Sequence, residues 1–207
     1  MAAGKRYITS SCVIRNETIT KNGKLVYAKT GNDASAFLLD VYDHFSMGYP
    51  KYFKMDRLSK LGFLAAEVLL KDSFNAGKYK EEEKGIVLSN ANASLDTDLR
   101  YIESVKIMAS PALFVYTLPN IVIGEISIRN GFKGENGFFI SDKFDADFLH
   151  FYVNDLFANH GIKVCICGWV DILDDKYEAV LYLVENEGKE EDLFTINNIN
   201  NLYLAHG

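Results

Sequence analysis

The sequence predicts an α/β domain: a mixed five-stranded sheet with helices on both faces. Three observations lead there. Short apolar runs such as residues 85–89 (GIVLS) and 163–170 (KVCICGWV) have the length and composition of buried strands. Between such runs lie longer segments whose apolar residues recur at helical spacing, most clearly 55–74. Strands alternating with helices imply mostly parallel pairing. The final two runs, 163–170 and 177–184, are joined by only residues 171–176, too short for a crossover helix, so that pair is antiparallel.

Taken in order, residues 5–14 (KRYITSSCVI) are β-rich and open the sheet. Asn22-Gly23, between the β-type runs 17–21 and 24–28, signals a hairpin, because both central residues of its turn need positive φ. That hairpin is expected to project from the sheet as an extra ribbon. Asn32 or Asp33 caps a helix reaching about Phe45. Asp56 caps the next, whose Leu58, Leu61, Leu64, Ala65, Val68 and Leu69 recur at helical spacing. Beyond the charged loop 78–84 and the strand 85–89, Ser94 opens a polar helix toward Ile107, on which Asp96 and Asp98 are expected to be solvated. Residues 111–118 read as an apolar connection. Pro119 suits the first turn of a helix that Gly131 ends. An apolar run at 137–141 (GFFIS), a helix over 144–160 and the two closing strands follow. A charged loop at 185–192 reads as solvated, and the Asn-rich tail, 193–206, shows no usable pattern. Without repeat or linker, residues 1–207 are expected to form a single domain.

Composition excludes several function classes. The net charge is −6 and no basic stripe occurs, so the chain repels a phosphate backbone and nucleic acid is not an expected partner. No run approaches the roughly 20 apolar residues of a membrane span, and residues 1–7 lack the basic and apolar regions of a secretory leader. Cys12, Cys165 and Cys167 are an odd number in a chain this long, which argues against a disulfide framework and for a reducing, cytoplasmic setting. Cys165 and Cys167 are expected on opposite faces of their strand, buried and inert, and too few ligands accompany them for zinc. His44, His150, His160 and His206 are scattered and read as surface or helix-end residues, while Trp169 reads as core or interface. No phosphate loop, metal motif or nucleotide fingerprint is present, so no cofactor is expected.

Three blocks resemble the β-ketoacyl synthases of the thiolase superfamily. Residues 54–61 (KMDRLSKL) look like that family's Met-Asp-Arg helix. Residues 109–136 (ASPALFVYTLPNIVIGEISIRNGFKGEN) are similar to its Ser-Pro…Asn…Gly…Ser-Ile-Arg…Gly-x-Lys-Gly-Pro-Asn stretch, with Glu135 in place of the last proline. Residues 164–171 (VCICGWVD) resemble the strand that ends in Gly-Gly-Ala-Glu. Together they run from about Lys5 to Glu185 and match the N-terminal half of a ketosynthase. The implied fold is one thiolase-like half.

In that family the N-terminal half supplies a nucleophilic cysteine at a strand-to-helix turn, where the helix N-terminus lowers the thiol pKa and offers backbone donors to the oxyanion. The C-terminal half supplies two histidines. Counting from the blocks on either side places the nucleophile position at Lys143, in Ile140-Ser141-Asp142-Lys143-Phe144-Asp145. Lysine there, beside Asp142 and Asp145, is expected to stay protonated and not to replace the thiolate.

The resemblance therefore implies a non-catalytic ketosynthase-like subunit, of the chain-length-factor kind, that pairs with a β-ketoacyl synthase in fatty-acid, polyketide or aryl-polyene-type assembly. Half of a split 3-oxoacyl-[acyl-carrier-protein] synthase, or a scaffold binding an acyl carrier protein, stay open as alternatives. An acidic carrier protein would dock on Lys51, Lys54, Arg57 and Lys60, before and within the Met-Asp helix. A homodimer or a heterodimer with a ketosynthase is expected, since in the thiolase-type fold the strand before the nucleophile pairs across a two-fold axis. The expected interface combines Phe138, Phe139, Ile140 and Ser141 with Ile123 and Ile126 of the helix after Pro119.

Overall fold

The structure, a computed structural model, describes residues 4–31 and 33–205; Asn32 and His206 lie outside the described residues. Its strands are β1 (Tyr7–Arg15), β2 (Thr18–Lys21), β3 (Lys24–Ala28), β4 (Lys84–Asn90), β5 (Asn136–Ile140), β6 (Val164–Leu173) and β7 (Lys176–Glu185). They form a seven-stranded sheet in the order β3-β2-β1-β7-β6-β4-β5. The expected count of five is exceeded by the Asn22-Gly23 hairpin. Its strands join the main sheet through β2 pairing on β1, instead of projecting as a separate ribbon. The turn itself is as expected, with positive φ at Asn22 and Gly23.

β4 pairs in parallel with β5 and β6, whereas β6–β7 and β7–β1 are antiparallel. The tight β6–β7 link closes at Asp174, which has positive φ. Gly168 lies in the middle of β6 at φ +146°, where an added Cβ would sit 2.0 Å from the Val180 carbonyl oxygen on β7. Only glycine lets the two backbones approach this closely.

Helices are α1 (Ala34–His44), α2 (Arg57–Leu70), α3 (Leu95–Val105), α4 (Pro111–Val115), α5 (Ile121–Asn130), α6 (Ala146–Asn159) and α7 (Ile196–Leu204). The connection expected at 111–118 thus contains a short helix. One sheet face packs under α1, α2 and α5, with Cys12, Ile14, Ile86, Leu88, Ile166 and Leu181 pointing into that core. The opposite face, bearing Val13, Val87, Cys165, Cys167, Val180 and Tyr182, packs under α6 and α7. Helices on both faces are therefore present.

Cys165 and Cys167 point to the same face, not to opposite ones. Side chains alternate with period two, so residues two apart share a side. Burial raises the Cys167 thiol well above its ordinary value, and both cysteines are free.

The tail forms α7. Thr195 caps it by accepting from Asn198 N, and Ile199 is fully buried with its carbonyl accepting from Tyr182 Oη at 3.0 Å. Among the described residues no helix is long and apolar enough to cross a membrane.

Candidate functional site

β5 ends at Ile140, and Ser141 N donates to Asn90 O at 3.0 Å, which ties the turn to the end of β4. The chain then passes Asp142 and Lys143 before α6 begins. Lys143 is exposed, two residues ahead of the helix cap, and its carbonyl accepts from Ser141 Oγ at 3.0 Å. The cap is Asp145, whose carboxylate accepts from Phe148 N at 2.9 Å. That carboxylate takes one of the backbone donors at the start of α6 and places a negative charge at its positive pole.

The turn borders a cleft of about 1150 Å3. Its walls come from the carboxyl ends of the parallel strands, through Asn92 after β4, Phe144 after β5 and Trp169 on β6. Ligand crevices of α/β sheets lie at this end. Phe144 stacks on Tyr203 of α7 at 4.2 Å, so the tail supplies one wall. Trp169 is buried beneath, with Phe144 edge-on at 6.4 Å.

Glu17, Asp142, Asp171, Asp174, Asp175 and Glu178 face Arg15, Lys143 and Lys176 in this cleft. Arg15 is spent on Glu178, and Tyr203 Oη also donates to Glu178 at 2.9 Å. Asp171 accepts from Asn92 N and from its side chain. The balance is acidic, which disfavours a phosphate or carboxylate ligand. None of the described histidines lines the cleft: His44 ends α1, His150 stacks on Phe194 and His160 caps α6. Among the described residues no group of His, Cys, Asp and Glu is placed to hold a metal.

The basic row fares differently residue by residue. Arg57 is buried, 8% exposed, bonded to the Asp174 carbonyl and to Asp96 at 3.3 Å, so it cannot receive a partner. Lys51 pairs with the buried Glu125 at 2.8 Å. Lys60 is half-buried with its ammonium 5.4 Å above the Tyr52 ring. Lys54 alone of the four is both exposed and outside any ion pair among the described residues.

The expected interface also divides. β5 is indeed a sheet edge, and Ile140 is 53% exposed. Phe138 leans on the α2–α5 core, while Phe139 packs edge-on to Phe148 and Tyr152 at 4.8 and 4.9 Å. Ile123 and Ile126 are 3% and 0% exposed, facing α2 inside the chain's own core, and are not available to a partner.

The surface that sequence reasoning missed is α3 with α4. α3 is not a solvated polar helix. Its buried residues are Asp96 and Thr97, whereas Leu95, Leu99, Ile102 and Val105 are exposed. Thr97 Oγ1 donates to Asp56 at 2.6 Å, Asp96 takes Arg57 and Arg100, and Asp96 also accepts from Asp174 N. The signal was legible: Leu95, Leu99 and Ile102 follow the i, i+4, i+7 spacing of an apolar helix face.

No family model and no curated protein matches this chain. Among solved structures, similar folds are found in an assembly titled AntDE:AntF, a type II PKS acyl-carrier protein in complex with its ketosynthase (TM-score 0.63, 15% identity, 88% of this chain and 62% of that one). The ishigamide ketosynthase/chain length factor is similar at TM-score 0.61 and 15% identity, over 91% and 63% of the two chains. The ketosynthase ApeO with its chain length factor ApeC from Xenorhabdus doucetiae gives 0.54 and 11%, over 90% and 80%. The fold is that of the ketosynthases. The chain spans less than two thirds of the length of the first two of these neighbours.

Proposed function

We propose that this chain is a non-catalytic ketosynthase-like subunit that works beside a cysteine-bearing β-ketoacyl synthase in acyl-chain assembly. One observation carries the reading. The β5–α6 turn, where the resemblance sets the family's nucleophile, bears Lys143 and a helix end capped by Asp145. A thiolate is the one group thioester condensation cannot lose. Solved neighbours that include ketosynthase/chain-length-factor pairs support the pairing by analogy of fold. Polyketide or aryl-polyene-type assembly is the pathway class this analogy favours.

The test is acyl transfer. The chain alone, incubated with an acyl-loaded carrier protein, is expected to gain no covalent acyl mass. Added to a β-ketoacyl synthase of its own genome, it is expected to change the yield or length of that enzyme's product. An acyl adduct on the isolated chain would replace this reading with that of half a split condensing enzyme. If the chain leaves every such synthase's product unaltered, the subunit reading fails.

A further inference from the structure

We infer that the groove between the start of β1, the α6 stretch 150–158 and residues 193–194 binds a carboxylate with an apolar tail, Arg6 holding the head. This site goes beyond the subunit reading and does not depend on it. The groove lies at the opposite end of the sheet from the β5–α6 turn, since Tyr7 of β1 and Val164 of β6 both pair with Glu185 at the end of β7. Its volume is about 530 Å3, within the roughly 300–1,000 Å3 of small-molecule sites.

The walls are apolar and already set. Phe151, 68% exposed, and Ala158 line the groove from α6, and Leu193 and the buried Phe194 line it from the tail. Phe194 N donates to Arg6 O at 2.8 Å, Leu193 bridges to Tyr7, and the His150 ring stacks on Phe194 at 5.5 Å. Tail, β1 and α6 are therefore joined without help from a ligand, as in the largely pre-formed pockets of small-molecule sites.

Charge selects the head group. The chain carries a net −6, yet the Lys, Arg, Asp and Glu side chains lining this groove are Lys5, Arg6 and Asp155. Lys5 is held by Glu190 at 2.6 Å, and Asp155 by His160 at 3.3 Å and by Asn159 Nδ2 at 2.7 Å. Arg6 is left unanswered. Its guanidinium lies 4.9 Å from the centre of the Phe157 ring, its Nη1 donates to the Gly4 and Lys5 carbonyls, and no carboxylate pairs with it among the described residues. Nε is shielded from water without an acceptor, and burial lowers the Arg6 pKa. An anion would relieve a guanidinium that is partly out of water and lacks a counter-charge.

The walls decide between anions. A phosphate brings three strong acceptor oxygens, whereas the one amide lining this groove, Asn154, spends its Nδ2 on the His150 carbonyl at 2.8 Å. A carboxylate is matched by a single guanidinium and leaves its tail free to lie on Phe151, Ala158 and Phe194. A polar tail would lose its water against those side chains and gain no hydrogen bond in return.

Isothermal titration of the full chain with decanoate tests this, with decanol and acetate as the tail-only and head-only probes. The wild type is expected to bind decanoate with a dissociation constant of about 1 mM or tighter. Decanol and acetate are each expected to bind at least about ten-fold more weakly, because each lacks one half of the recognition. Arg6→Gln is expected to weaken decanoate by about ten-fold or more, the worth of a charged hydrogen bond. Ala158→Trp fills the groove from an exposed helix position, is expected to unfold at the wild-type temperature, and is expected to abolish binding. Leu25→Trp, on the exposed strand β3 at the sheet edge, is the control and is expected to bind as the wild type does. Decanoate that fails to bind the wild type, or binds Ala158→Trp undiminished, would overturn the site. Decanol binding as tightly as decanoate would overturn the role of Arg6 and with it the carboxylate. A wild-type dimer that Ala158→Trp dissolves and decanoate leaves intact would give the groove to a second copy and overturn the ligand.

Discussion

α2 and α3 start side by side and share a polar seam, yet they are built in opposite senses. α2 buries Leu58, Leu61, Leu64, Ala65, Val68 and Leu69 against the sheet and α5, and holds Asp56 and Arg57 at its start to receive α3. α3 turns Asp96 and Thr97 toward that seam and its leucines and isoleucine outward. The contrast separates two demands on one chain. α2 holds the fold together and finds its apolar cover within the chain. α3 is held in place by hydrogen bonds and ion pairs, and its apolar side remains for something else to cover.

The largest expected effect breaks the first member of this comparison. Leu64→Ala is expected to lose about 3–4 kcal/mol in urea unfolding, the range for deleting a fully buried leucine side chain. Ile102→Ala on α3 is expected to stay within about 0.5 kcal/mol in the dilute, unpartnered chain. Equal losses at both sites would mean that α3 packs inward after all, and the contrast would disappear.

A smaller loss belongs to the seam. Thr97→Val keeps the shape but removes the hydroxyl donated to Asp56, and about 1–3 kcal/mol is expected from the unsatisfied buried carboxylate. A neutral result in thermal and urea unfolding would show that the seam does not hold α3.

The pH dependence of that seam sharpens the point. Burial raises the Asp56 pKa above the usual carboxylate value, opposed by the hydrogen bonds from Ser59 and Thr97. A folded pKa above the unfolded one means the native state holds its proton longer. Ionising Asp56 therefore costs stability as pH climbs from about 4 through the raised value. Wild type is expected to lose ground against Asp56→Asn over that window. If wild type gains instead, the hydrogen bonds outweigh the burial.

The weakest effect is at the lead-in to α2. Among the described residues Lys54 is the one basic residue of its row left exposed and outside any ion pair, and a carrier-protein contact there is expected to contribute under about 1 kcal/mol. Lys54→Glu at low salt is expected to weaken carrier binding several-fold, and Arg57→Glu to destabilise the fold before it reports on docking. Unchanged affinity for Lys54→Glu would remove carrier docking from this face.

Much of the fold was legible because its signals are local. The Asn22-Gly23 turn, a cap for α1 at Asn32 or Asp33 (Asp33 in the structure), the Asp56 cap, the Gly131 stop and the antiparallel β6–β7 pair each follow from a few neighbouring residues. A strand-to-helix turn around Lys143 was legible too, since spacing from two flanking blocks locates it. The tail was not. In 193–206 the asparagines hide a pattern that makes sense only once Ile199 and Tyr203 have a sheet face and Phe144 to rest on.

By itself the sequence determined the order and kind of the main elements and the ketosynthase-like path of the chain, because helix periodicity, caps and turns act over a few residues. Which apolar residues are spent inside the chain was decided by the tertiary structure. Ile123 and Ile126 looked like an interface and went to the core, while Leu99 and Ile102, read as part of a polar helix, came to the surface. An apolar stripe shows that a helix must be covered; which side gets covered depends on where the other elements put their polar groups. Here Asp56 and Arg57 set it, by pairing with Thr97 and Asp96 from 41 and 39 residues away.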